Sequence, residues 1–150
     1  MVEKYCDGVV PAGAPTDLDA ADAESLAAYV AAMDGSRGYL PHEALRALWQ
    51  TIQRANEYVD RQAPWKLSKD PAKRGELEAT LASLVRGLAR QAVHLSPFMP
   101  GKAEELWSQL GAPGRAADVR LDRAAALDPT GWRVTKGAPL FPKEDARTAT

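Results

Sequence analysis

Trp65 has the clearest capacity for chemistry in this sequence. It lies in the run Asn56-Glu57-Tyr58-Val59-Asp60-Arg61-Gln62-Ala63-Pro64-Trp65-Lys66-Leu67-Ser68-Lys69-Asp70, where a strongly helical segment meets Pro64. A helix stops before a proline because the preceding residue is pushed out of the helical region. The break leaves a flat indole among three cations, Arg61, Lys66 and Lys69. An indole at a chain break beside positive charge suits stacking on an unpaired base, which is worth about 1–3 kcal/mol per base. Tryptophan is usually mostly buried, so packing between the flanking helices is the rival role. Its place outside any periodic stripe, with cations on both sides, favours the stacking platform. Asn56 falls within the apolar side of its helix, between Ile52 and Val59, and is expected to be a buried amide tying helix to helix or helix to loop, ahead of a base contact. Tyr58 is expected to cover the helix edge near Arg54 and Arg61.

Other constellations are weaker. Arg86, Arg90 and His94 recur at four-residue spacing on the far side of the next helix. They could follow a phosphate backbone, although a solvated helix face is the favoured reading. His42 and His94 lack a convincing ligand set, so no metal site is expected. Cys6 is the only cysteine, which excludes an internal disulfide or a cysteine metal cluster and fits a reducing cytosol. No phosphate-cradling glycine loop, nucleophile elbow or acid–base pair is present, so no chemistry of the chain's own is expected. The N-terminus lacks the basic and apolar pattern of a secretory signal, and no apolar run is long enough to span a bilayer.

The charge distribution narrows the partner class. The net charge of the 150 residues is -1, with 45% hydrophobic and 26% charged residues. That excludes a general polyanion binder and leaves room only for a local basic patch. Residues 1–35 carry seven acids and one base, whereas residues 54–102 carry nine bases and five acids, a local surplus of 9 − 5 = +4.

Four helices are predicted to position these residues. Leu18, Ala21, Leu26, Val30 and Met33 recur near helical spacing after Thr16, a suitable cap with acids in the first turns. Pro41 suits the first turn of a second helix, whose apolar face reads Leu45, Leu48, Trp49, Ile52, Ala55, Asn56 and Val59. A third runs from about Ala72 to Ser96 with Leu77, Leu81, Leu84, Leu88, Ala92 and Leu95 as its stripe. A short fourth carries Ala103, Leu106, Trp107 and Leu110 and ends at Gly111. Beyond Gly111 the pattern fades. Gly131-Trp132-Arg133-Val134 reads as extended, Ala138 to Lys143 as an apolar plug, and residues 144–150 as disordered.

Three blocks in order resemble one family. Ala55-Asn56-x-Tyr58-Val59-Asp60-x-x-x-Pro64-Trp65-Lys66-Leu67-x-Lys69-Asp70, Leu95-Ser96-Pro97-Phe98-Met99-Pro100 with the helix ending Leu110-Gly111, and Pro139-Leu140-Phe141-Pro142-Lys143 are similar to the anticodon-binding domain of methionyl-tRNA synthetase. Lys66-Leu67-Ser68-Lys69 also resembles the nucleotide-stabilising loop of class I synthetases, but the partner signature and any alternating strand–helix pattern are absent, so an ATP site is rejected. The resemblance implies an all-α bundle over residues 16–111, a helix remnant and loop over 1–15, and a C-terminal extension over 112–143 that docks back. It implies an anticodon site built on Trp65 and oriented by Pro64; Arg61 and Asn56 are further candidates from the reading of the residues themselves. Apart from the resemblance, Lys66 and Lys69 are expected to face RNA phosphate or water, and Arg86 and Arg90 are possible phosphate contacts. The implied partners are the tRNA(Met) anticodon loop and the synthetase's catalytic domain, with no DNA and no membrane, in the cytoplasm. No cofactor is expected in this chain, since ATP and methionine would bind the catalytic domain, which the sequence lacks. The family's other principal anticodon contacts, an Asn and an Arg, lie on a helix of which only Met1 to Tyr5 remains. Its loss should expose apolar surface, leaving a less stable chain or one that docks to a partner supplying the helix. A helical protein-interaction module without RNA binding is the alternative.

Overall fold

Reciprocal capping starts the first long helix. Thr16 Oγ1 accepts from the Leu18 amide, and the Asp19 carboxylate accepts from the Thr16 amide at 2.9 Å, satisfying donors that a helix start leaves open. In the computed structural model, which describes residues 1–142, the helices are α1 (Val2–Tyr5), α2 (Asp17–Met33), α3 (Pro41–Gln62), α4 (Pro64–Leu67), α5 (Arg74–Leu95), α6 (Pro100–Gln109) and α7 (Leu121–Ala124). Prolines open α3, α4 and α6, where a missing N–H costs nothing. The fold is all-α, as expected. Residues 143–150 lie outside the described residues, and with them Lys143 and the expected disordered tail.

Two apolar clusters hold the bundle. One gathers Leu77, Leu81, Val85, Ala89, Ala92 and Val93 of α5 with Trp107, Leu110, Val2, Val10 and Leu67. The other joins Tyr29 of α2, Ala44, Ala47 and Leu48 of α3, Leu95 and Ala103.

The face that α3 buries differs from the expected one. Ala44, Ala47, Leu48, Thr51 and Tyr58 are buried, while Trp49 and Asn56 are exposed and Leu45, Ile52 and Val59 only partly covered. Small residues let α2 pack closely, so the inward face is the one bearing alanines rather than the bulkiest stripe. Asn56 is therefore not a buried tie, and Tyr58 is core rather than edge cover. On α5, Leu84 and Leu88 of the expected stripe keep solvent contact, and the buried side instead includes Ser83, Arg86, Arg90 and His94.

The segment after Gly111 folds back on the start of the chain. Val9 and Arg133 form an antiparallel bridge, the only β pairing among the described residues. The Val10 amide donates to Trp132 O at 2.9 Å and the Val134 amide to Gly8 O at 2.8 Å. Trp132 packs edge-on against Trp107, with ring centroids 5.5 Å apart. Gly111 has φ +69 and faces Arg133 so closely that a Cβ would sit 2.2 Å from its carbonyl oxygen. Only glycine meets both demands.

Candidate nucleic-acid interface

The break after α3 is built from a strained residue and a proline. Ala63 takes the left-handed conformation at φ 45 and ψ 64, which costs a residue with a side chain about 1–2 kcal/mol. Its amide still donates to Val59 O at 2.9 Å and its carbonyl accepts from Lys66 at 2.7 Å. The chain therefore turns sharply without losing its hydrogen bonds. In the single turn of α4, Pro64 and Leu67, three apart, point inward and are buried. Trp65 and Lys66 consequently point outward. Trp65 is 43% exposed and belongs to neither core cluster, so it is a surface aromatic. The buried Pro64 and Leu67 anchor the backbone of this turn.

The cations around it sort into paired and free. Arg61 is ion-paired with Asp17 and lies over the Tyr58 ring, 5.3 Å from its centroid. It fixes α3 to the start of α2 and keeps an exposed side chain beside the break. Arg54 donates to Ala21 O and Ser25 Oγ, Arg74 pairs with Glu78 at 2.7 Å, and Lys102 with Glu105 at 2.8 Å.

Arg86 and Arg90 are a correction to the sequence reading. Both are buried against α2 rather than displayed to solvent. Arg86 Nε and Nη2 meet the two Asp19 oxygens at 2.9 and 3.0 Å, and its Nη1 donates to Gly13 O at 3.0 Å. Arg90 Nη1 donates to Asp19 at 3.1 Å and Nη2 to Ala125 O at 3.3 Å. Burial opposes ionisation of Asp19, but hydrogen bonds from Arg86, Ser83 and the Thr16 backbone outweigh it and bring the carboxyl down to about 2. His94 is buried too, its Nδ1 2.7 Å from Arg90 O, and burial lowers its pKa. These groups are a clamp between α2, α5 and two loops, unavailable to a phosphate.

Setting aside the partnered bases leaves three lysines in one segment, which also carries the exposed Asp70. Of the nine bases in residues 54–102, only Lys66, Lys69 and Lys73 have neither an ion pair nor a hydrogen-bond partner among the described residues. All three are exposed and lie within eight residues of Trp65. Sequence reasoning missed Lys73, although it stands in the same lysine run after Pro71. The arrangement is an outward indole with three free ammonium groups. It can stack on a planar base while neutralising nearby phosphates. No group of three or more metal-ligating side chains occurs among the described residues.

Residues 7–149 match the family model described as the anticodon binding domain of methionyl tRNA ligase. The chain is 36% identical over 152 residues to the methionine–tRNA ligase of Bacillus subtilis, covering 97% of this chain and 22% of that protein. It is likewise 36% identical over 155 residues to the Listeria monocytogenes methionine–tRNA ligase, covering 97% and 23%. The chain thus spans under a quarter of the length of these relatives. Among solved structures, the free-state methionyl-tRNA synthetase of Mycobacterium tuberculosis superposes with a TM-score of 0.80 at 27% identity, over 97% of this chain and 30% of that one. This chain belongs to the family of methionyl-tRNA ligase anticodon-binding domains.

Proposed function

We propose that this chain is the tRNA-reading part of a methionine–tRNA ligase, selecting tRNA(Met) in the cytoplasm for aminoacylation by a catalytic domain. Trp65 stacks on an unpaired anticodon base, Pro64 sets the indole's orientation, Arg61 supports it from α3, and Lys66, Lys69 and Lys73 neutralise phosphates. Asn56, exposed on α3, is free to contact the loop. The observation that carries the reading is the coincidence of the outward Trp65 with the three unpaired lysines.

The test is titration of the chain with tRNA(Met) transcript across a salt series. Trp65→Ala should weaken binding by about 1–3 kcal/mol, roughly a 5- to 150-fold rise in Kd, without altering the melt. The salt slope of log K should be about −2, from three phosphates at roughly −0.7 each. Equal affinity of wild type and variant would remove Trp65 from the site. Absence of any salt-dependent tRNA binding would favour the protein-interaction module instead, a reading supported by the half-exposed apolar stripe on α3.

A further inference from the structure

A polar cleft of about 360 Å³ opens between the first turns of α2 and the C-terminal half of α3. Asp17 and Ala21 of α2 line one wall, and Arg54, Glu57, Tyr58 and Arg61 of α3 line the other. The four α3 residues recur at i, i+3, i+4 and i+7, so they share one side of that helix. The volume lies at the lower end of small-ligand sites, about 300–1,000 Å³.

Tyr58 marks this cleft as more than a surface dent. Its side chain is 3% exposed, yet its hydroxyl has no hydrogen-bond partner among the described residues. Unlike Asp22 Oδ1, that hydroxyl is not sealed from solvent, so the cleft is where it emerges. A buried tyrosine ordinarily finds a partner for its O–H. The charged groups around it are held in place but only half used. Arg54 gives Nη1 to Ala21 O and Ser25 Oγ and keeps Nε and Nη2 free among the described residues. Arg61 gives Nη2 to Asp17 and keeps Nε and Nη1. Glu57 Oε1 accepts from Gln53 Nε2 at 3.0 Å, which leaves Oε2.

Two cations, Arg54 and Arg61, balance two carboxylates, Asp17 and Glu57. A lining without net charge suits a neutral group with donors and acceptors on one edge, rather than a phosphate or a cation. Arg54 and Glu57, one turn apart, set donors beside an acceptor. That order complements a base with an amino group next to a ring nitrogen, as in adenine or cytosine: the amino group donates to Glu57 and the ring nitrogen accepts from Arg54. Hypoxanthine and uracil present an oxygen where the amino group stands, and oxygen would then face carboxylate. Arg61 is four residues from Trp65, at most about 14 Å even for extended chain, which about four stacked nucleotide steps cover.

We propose that this cleft is a second base site, which takes one unpaired adenine or cytosine from the RNA loop that stacks another base on Trp65. Glu57 and Arg54 read its edge, and Tyr58 Oη supplies a further hydrogen bond from the floor. The inference rests on the RNA-binding reading above and extends it from stacking to base selection.

The experiment measures Kd of the 150-residue chain for tRNA(Met) transcripts whose anticodon-loop adenines and cytosines are replaced, one at a time, by hypoxanthine or uracil. One replacement should weaken wild type roughly 5- to 150-fold. Glu57→Gln, an exposed change, turns the acceptor into a group that also donates. It should erase that penalty at the one position and leave the others as they are. Tyr58→Phe should weaken binding about 2- to 12-fold with an unchanged melt, since its hydroxyl has no partner to lose in the free chain. If Trp65→Ala weakens binding while Glu57→Gln and Tyr58→Phe bind every transcript as wild type does, the cleft is not a base site and the Trp65 reading stands. A lowered Tm for Tyr58→Phe with base preferences intact in Glu57→Gln also overturns it, by giving the hydroxyl to the fold. Absence of salt-dependent tRNA binding by wild type removes both readings.

Discussion

Arg86→Met keeps the aliphatic stem of a buried arginine and removes its guanidinium. In the structure that group spans both oxygens of Asp19 and the carbonyls of Gly13 and Ala14. Breaking a buried pair from one side costs about 3–5 kcal/mol, because the other charge stays buried. The depression of Asp19 from 3.8 to about 2 gives a check on scale, since a shift of about 2 units corresponds to roughly 2–3 kcal/mol. Arg90 and Ser83 remain on Asp19 and soften the loss, so about 3 kcal/mol is expected at pH 7. The sign follows from linkage. A carboxyl depressed by folding stabilises fully above about pH 4, and that contribution disappears as pH falls through 4 toward 2. Urea unfolding of both proteins at pH 7 and near pH 3 reads the two quantities, and the gap should narrow at the lower pH. A loss under about 1 kcal/mol, too small for a broken buried pair, or a gap indifferent to pH, would refute the clamp. A folded variant with unchanged stability and lost tRNA affinity would restore the outward, phosphate-facing reading of Arg86.

Asp22 behaves with the opposite sign: burial, only partly countered by Arg90, pushes its carboxyl up to about 6. The folded state then holds a proton that the unfolded state releases, so stability falls as pH rises from about 4 to 6. Asp22→Asn should stabilise by about 1–3 kcal/mol at pH 7 and by nothing near pH 4, in urea midpoints at the two pH values; a gain independent of pH would contradict it. His94, buried and lowered, titrates in both proteins and cancels in the comparison. Gly111→Ala should cost about 2–4 kcal/mol, from left-handed strain and the clash with Arg133, and thermal melts within about 2 °C of wild type would count against that contact.

Much of the fold was legible because its punctuation is local. Thr16, Pro41, Pro64, Pro100 and Gly111 mark element ends through their own backbone chemistry, which needs no tertiary knowledge. Facing was less legible. The α3 pattern pointed to Leu45, Trp49, Ile52 and Val59, whereas close packing on α2 chose Ala44, Ala47 and Thr51. Periodicity reports that a stripe exists, and the neighbouring helices decide which stripe is covered. Arg86, Arg90 and His94 looked solvated because their partners on α2 lie more than sixty residues away. A signal was present: Asp19 and Asp22 share a helix face with Leu18, Leu26 and Tyr29, and acids on an apolar face require distant cations. The Trp65 break was readable from Pro64 alone, but its freedom from the core depended on α4 turning Pro64 and Leu67 inward.

The bridge between Val9 and Arg133 has a kinetic consequence. It joins positions more than 120 residues apart, and closing so long a loop in an unfolded chain carries a large entropic barrier. The intervening helices, once formed, rigidify and shorten that path. The clasp is therefore a late event in folding, made after α2, α3, α5 and α6 have assembled. Its opening must release the Trp132–Trp107 contact and the burial of Val10 as well as the bridge, although the surrounding segment 111–142 is mainly exposed.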